Sequence, residues 1–195
     1  MSQKIINHQM IIDGKYTNSI TEKTIEIECP ANKRIFASVP RGNEADVDIA
    51  VKSSLKAFRS WSKVMPKERG KILLQIADAI EIEKEDIAKI IATETGNAIK
   101  TQARPEINLV VDIFRYFGGL SSELKGETIP LGEHVLSYTR REPLGVVGAI
   151  IPWNAPVMLG ACKIAPALLG DVRAVANASV TAPELFHEIS QTSRP

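Results

Sequence analysis

The chain has 195 residues, enough for one domain with a buried core, and its 44% hydrophobic and 24% charged content is that of a folded globular protein rather than a disordered one. A net charge of +1 gives no field that would select nucleic acid or an anionic membrane surface. No apolar run is long enough to cross a bilayer, and MSQKIINHQM lacks the apolar core of a signal peptide.

Residues 9 to 40 are β-rich. MIIDGKY places Asp13-Gly14 between strand formers and predicts a β-hairpin. TIEIE alternates apolar and charged residues, which predicts a half-buried strand; CPANKR reads as a turn and IFASV as another short strand. From Asn43 the period becomes helical. Asn43 suits an N-cap, Glu44 and Asp46 fall in the first turn, and Val47, Val51, Leu55 and Phe58 line one face. Pro66 opens a second helix, with Leu73, Leu74, Ala77 and Ile80, then Ile87, Ile90 and Ile91, as its apolar stripe and Gly96 as its stop. A third helix is expected from about 105 to 118, burying Ile107, Val110, Val111, Phe114 and Phe117.

GETIPLGEHVLSYTRREPLG then reads as an extended ribbon punctuated by Gly and Pro. VVGAII is a continuous apolar run suited to a parallel strand buried on both faces. PVMLGACKIAPALL continues as a helix in which Pro166 predicts a kink or break. Strand, tight turn and helix open a β–α–β unit. The second strand is weak in the sequence, because DVRAVANASV offers only scattered Val and Ala. The expected fold is therefore α/β: an incomplete Rossmann-like unit with an N-terminal hairpin, a helical layer and a ribbon, in which VVGAII keeps an unpaired, aggregation-prone edge.

Chemistry concentrates at Pro152-Trp153-Asn154. In open α/β sheets, ligands bind outside the carboxyl ends of the strands. An Asn carboxamide held there by flanking prolines is a neutral N–H donor for an oxygen that gains charge under nucleophilic attack. The same position equally suits an Asn capping the helix that follows. Cys29, in the predicted turn, and Cys162, on the last helix, have no metal-ligand spacing and are expected as reduced thiols of a cytoplasmic protein. Cys162 reads as a structural thiol on an apolar helix. His8, His134 and His187 form no constellation with either cysteine, and no metal site is expected.

YTRREPLGVVGAIIPWNAP resembles the aldehyde dehydrogenase superfamily, whose members depend on NAD or NADP. The resemblance extends backwards through FRYFGGLSSELKGETIPLG, ETGNAIKTQARPEI and the segment from IECPANKR to IADAIE, and covers about residues 8 to 170. Within the superfamily it most resembles the branch of betaine-aldehyde-like dehydrogenases. The resemblance implies oxidation of an aldehyde to an acid through a thiohemiacetal. Asn154 matches the oxyanion-hole Asn, while Ile150, Ile151, Pro152 and Trp153 match the segment lining the cofactor site. Ala155 and Met158 match positions facing the aldehyde tunnel, and residues 127–144 match a ribbon used in subunit association.

The chain also departs from that pattern. Continued without a gap, the family's next Gly-Asn pair falls on Asp171-Val172, its ribose-binding Lys on Asn177 and its Glu on Val180; a shift by one puts Ala176 at the Lys position. The family's general-base Glu and nucleophilic Cys lie further along than Pro195. Residues 1–195 are thus expected to form a partial cofactor-binding domain with a divergent or truncated tail at 171–195. Three functional readings stand: an aldehyde-oxidising enzyme by descent, a non-catalytic remnant with weakened NAD or NADP binding, and an interaction module that docks on a full-length subunit. Each implies a small aldehyde, or a homo- or hetero-oligomeric partner, rather than nucleic acid or membrane.

Overall fold

The structure is a computed structural model that describes residues 5–170 and the backbone of 173–177. It is an α/β fold of small sheets around a helical layer, with a parallel strand–helix–strand unit consistent with part of a Rossmann-like dinucleotide-binding domain.

Two short sheets form the N-terminal part. Strands β2 (Met10–Ile12) and β3 (Lys15–Thr17) pair antiparallel, Ile12 opposite Lys15. Asp13 at φ 55° and Gly14 at φ 68° turn the chain between them, the left-handed pair that matches strand twist. The second sheet has the order β1 (Ile6–Asn7), β5 (Arg34–Pro40), β4 (Thr24–Cys29); β4 is antiparallel to β5 and β1 parallel. TIEIE forms the expected strand but buries less than its alternation predicts. Ile25 is exposed, Ile27 half-buried, and only Cys29 fully covered. Cys29 therefore ends a strand in the interior rather than lying in a surface turn, and Cys162 is the exposed thiol, reversing both expectations.

Helix α1 (Glu44–Trp61) starts where Asn43 predicts. The Asn43 side chain accepts from the Asp46 N–H at 3.0 Å, and Asp46 accepts from the Asn43 N–H at 3.0 Å, a reciprocal capping box. Asp46 is buried and also accepts from the Ser19 hydroxyl at 2.6 Å and the Ile20 N–H at 2.9 Å. The Ser19 hydrogen bond, ahead of that from Ile20, holds its carboxyl below the ordinary value. The box thus fastens α1 to the loop after β3. The apolar stripe of α1 is only partly covered: Val51 and Phe58 are half-buried, but Val47 is 55% and Leu55 49% exposed. Nothing among the described residues covers them.

The core lies between three other helices. Helix α2 (Pro66–Thr95) begins at its proline and stops at Gly96, whose φ of 76° is the left-handed conformation glycine tolerates. Helix α3 (Arg104–Gly119) follows a five-residue π-turn, Ile99–Ala103. Helix α4 (Pro156–Leu169) packs on both. Leu73, Ile80, Ile107, Phe114, Val157 and Ile164 meet in one buried cluster. Helices α2 and α3 approach closely at Gly70, where an added Cβ would collide with Ser121 and with the Gly118 carbonyl. Leu74, expected in the stripe of α2, is exposed.

Pro166 does not break α4, contrary to expectation; the helix runs through it to Leu169. The carbonyls that a helix C-terminus leaves without partners explain this. The Trp61 indole N–H donates to the Leu168 carbonyl at 3.2 Å, and the Arg69 guanidinium Nε to the Leu169 carbonyl at 3.0 Å. The bond that Pro166 cannot donate would have gone to the carbonyl of Cys162, an exposed residue.

Strands β6 (Thr128–Pro130) and β7 (Leu136–Tyr138) form an exposed antiparallel ribbon inside 127–144. Strand β8 (Val146–Ile150) pairs parallel with β9 (Arg173–Asn177), Val146 opposite Arg173 and Ile150 opposite Asn177. The edge of VVGAII expected to be unpaired is thus partnered on one side. Ladder hydrogen bonds come from the backbone, so small Ala side chains suffice where a neighbouring strand supplies the pattern. Asp171, Val172 and Val180 lie outside the described residues. The strand is not buried on both faces either. Ala149 is buried, but Ile150 is 82% exposed and nothing stands within 4 Å of a Cβ placed on Gly148. Among the described residues no helix is long and apolar enough to cross a membrane, and no three His, Cys, Asp or Glu side chains are grouped as metal ligands.

Candidate active site

The carboxyl ends of β8 and β9 lie side by side, and the chain leaves β8 through Ile151-Pro152-Trp153-Asn154 before α4 begins. Alternation along the strand separates the side chains. Ile151 is half-buried, and its Cδ1 is the atom nearest to a Cβ built on Gly160 of α4. Ile150 and Trp153, at 82% and 80% exposure, leave an apolar surface open at the strand mouth, with Pro152 exposed between them. Ile150, Pro152 and Trp153 thus present apolar surface of the kind on which a planar heterocycle packs. Ala155 is half-buried, while Met158 is half-buried and packs against the helical core.

Asn154 does not cap α4. The N-cap position is Ala155, which offers no side-chain acceptor, and the carboxamide of Asn154 makes no hydrogen bond among the described residues. The cap comes from another helix instead. Glu106 of α3 points one carboxylate oxygen, Oε1, at the first turn of α4, accepting from the Val157 N–H at 3.1 Å and the Met158 N–H at 3.1 Å. A carboxylate at the positive end of a helix dipole answers two of its orphan donors at once. Glu106 is almost completely buried. Burial raises its carboxyl above the ordinary value, the two N–H bonds draw it back, and Glu94 raises it further.

The other side of the turn is tied as well. The Asn97 side-chain N–H donates to the Asn154 main-chain carbonyl at 3.2 Å. Asn154 is left exposed, its backbone fastened and its amide donor unspent among the described residues. Such a donor can stabilise negative charge on an oxygen without reorganising first. Sequence reasoning singled out neither Asn97 nor Glu106. For Glu106 a signal existed: it is the one charge on the buried face of α3, four residues before Val110. For Asn97, just past the end of α2, there was none.

Cys162 follows Asn154 by about two turns, on the exposed side of α4, and Cys29 is buried in the N-terminal sheet; neither thiol makes a hydrogen bond among the described residues.

The chain is 40% identical over 162 residues to "Aldehyde dehydrogenase 1" of Tanacetum cinerariifolium, a match covering 82% of this chain and 32% of that protein. It superposes with a TM-score of 0.92 and 31% identity on a point variant of the aldehyde dehydrogenase of Bacillus cereus, covering 97% of this chain and 40% of that one. On a betaine aldehyde dehydrogenase of Staphylococcus aureus solved with NAD+, the TM-score is 0.91 at 29% identity, again over 97% of this chain and 40% of the other. Identity to the betaine aldehyde enzyme is thus no higher than to the Bacillus protein. The chain spans about a third of the length of the curated relatives it matches. Residues 16–191 match the family model described as "Aldehyde dehydrogenase family". With nearly the whole sequence inside that match, the chain belongs to the aldehyde dehydrogenase family.

Proposed function

We propose that this chain carries one wall of an NAD(P)-dependent aldehyde-oxidising site and that, by itself, it does not turn over. Asn154 is the oxyanion donor, Ile150, Ile151, Pro152 and Trp153 line the nicotinamide, and Ala155 and Met158 face the aldehyde. The bound cofactor supplies the hydride acceptor. The observation that carries the reading is the release of Asn154 from capping duty: Glu106 answers the helix donors, so the carboxamide is available to substrate.

The reaction also needs a nucleophile, which by family resemblance is a cysteine thiolate. The 195-residue chain has two cysteines, and neither fits: Cys29 is buried in the N-terminal sheet and Cys162 lies on the outer side of α4. Without a thiolate there is no covalent intermediate from which hydride could leave. A second reading rests on the ribbon. Leu136 at 80% and Leu144 at 86% exposure give 127–144 an apolar surface suited to association with an intact subunit of the same family.

One set of measurements tests both. Titrated NAD+ or NADP+ is expected to quench the emission of exposed Trp153, with the effect lost in Trp153→Phe, while absorbance of the reduced nicotinamide stays flat with a panel of aldehydes. Turnover abolished by Cys162→Ser would make that thiol the nucleophile and overturn the proposal; unchanged Trp153 emission would remove the cofactor assignment. Co-expression with an intact relative is expected to give co-purification that is lost on replacing Leu136 and Leu144 by Ser. Failure to co-purify removes the ribbon reading.

A further inference from the structure

We propose that Glu106 and Asn97 are positioning residues that clamp the Pro152–Pro156 turn from both sides and so fix the direction of the Asn154 carboxamide. The inference rests on the reading of Asn154 as the donor, but its test does not require that reading to be right. Both contacts are made by side chains distant in sequence, Asn97 just past the end of α2 and Glu106 on α3; one holds the turn at the Asn154 carbonyl and the other holds the first free amides of α4.

The geometry assigns different tasks to the two. Asn97 holds the carbonyl of the residue whose side chain is to be aimed. Glu106 holds the two amides that follow Pro156, and hence the axis along which α4 leaves the turn. Between the two anchored points lie Ala155 and Pro156. Pro156 has a fixed φ and no N–H, so few torsions remain to be set. The burial of Glu106 is informative. A carboxylate in an apolar stripe is costly, and a helix N-terminus can be capped at its own N-cap by Ser, Thr, Asp or Asn. Here Ala155 occupies that position, and a local cap at Asn154 or Ala155 would occupy the turn that the carboxamide must leave open. Capping from across the core satisfies the helix and keeps the mouth clear.

The test is nuclear magnetic resonance of the chain without cofactor or substrate, reading the Asn154 side-chain amide and the exchange of the Val157 and Met158 amides in wild type, Glu106→Gln, Glu106→Asp and Asn97→Ala. Gln keeps an oxygen at the same reach, so Glu106→Gln is expected to retain slow exchange and the wild-type Asn154 signals. Asp withdraws the oxygen by one methylene while keeping the charge. Glu106→Asp is expected to speed exchange at both amides by roughly tenfold, as loss of a hydrogen bond predicts, and to broaden or shift the Asn154 carboxamide. Asn97→Ala is expected to move the carboxamide signals and leave the Val157 and Met158 amides unchanged. Slow exchange at Leu73 and Phe114 in each variant separates a local effect from unfolding. The clamp is overturned if the Asn154 carboxamide is unmoved in both Glu106→Asp and Asn97→Ala while these core amides stay protected. Should the clamp hold while Trp153 emission is indifferent to NAD+ and NADP+, the site reading fails and the positioning stands.

Discussion

Phe114→Ala is expected to destabilise the chain by about 3–5 kcal/mol and to lower its urea midpoint accordingly. The side chain is completely buried on α3 and sits in the cluster where α2, α3 and α4 meet. Truncation removes the transfer energy of the ring and leaves a cavity that three helices cannot close together. The neighbours limit relaxation, because α2 and α3 already touch at Gly70, where even a methyl group would collide with the Gly118 carbonyl. The loss is also large against the total, since a domain of this size holds roughly 5–15 kcal/mol. Much of the remaining surface contributes little to that total: Val47 and Leu55 of α1, Ile150 at the end of β8 and most of the ribbon are exposed. Urea denaturation followed by circular dichroism measures the change. A shift below about 1 kcal/mol, the median for an ordinary substitution, would mean that the helical cluster is not where stability resides.

The second large effect is expected at Arg69. Its Nε donates to the Leu169 carbonyl at 3.0 Å and its Nη1 to the Val64 carbonyl at 2.6 Å, with the side chain buried. One planar group therefore ties the segment before α2 to the end of α4. Arg69→Ala leaves the buried Leu169 carbonyl without that donor, a cost of about 1–3 kcal/mol, and removes the part-buried bond to the Val64 carbonyl, worth about 1–2 kcal/mol more. The total is expected near 2–5 kcal/mol once lost packing of the stem is included. Arg69→Lys keeps the charge but replaces a rigid fork by a single ammonium, so it is expected to recover less than half of the loss. Thermal unfolding of the two variants beside wild type makes the comparison. Equal stability of Lys and Arg at this position would show that charge at the helix end, not the fork, is what matters.

Local chemistry was legible in the sequence. Asn43, Pro66 and Gly96 each begin or end a helix for reasons contained in a few neighbouring residues, and the structure places helix boundaries at all three. What was not legible depends on distant partners. Pro166 looks like a break until Trp61 and Arg69 reach the carbonyls beyond it. RAVAN looks too weak for a strand until β8 lies beside it. The stripe of α1 has a helical period, but a period reports only that a face can be buried, not that it is. The same distinction governs the site. The Pro-Trp-Asn turn stood out as a string of residues, whereas the question of whether Asn154 caps the helix was settled by Glu106, 51 positions from Val157.

Helix α4 has a consequence in time as well as in space. Both of its ends are finished by other parts of the chain: Glu106 at the start, Trp61 and Arg69 at the finish. It has no side-chain cap of its own and carries a proline in its last turn. Such a segment gains little from forming alone, because a short helix in water is marginal even with good caps. Helices α2 and α3 are joined by a few residues and pack on each other, so they can dock without waiting for distant chain. Strand β8, α4 and β9 are then expected to assemble on a finished surface, with the Pro152–Pro156 turn formed last. Pulsed hydrogen exchange during refolding is expected to protect the α2 and α3 amides before those of Val157 and Met158; simultaneous protection would refute the sequence of events.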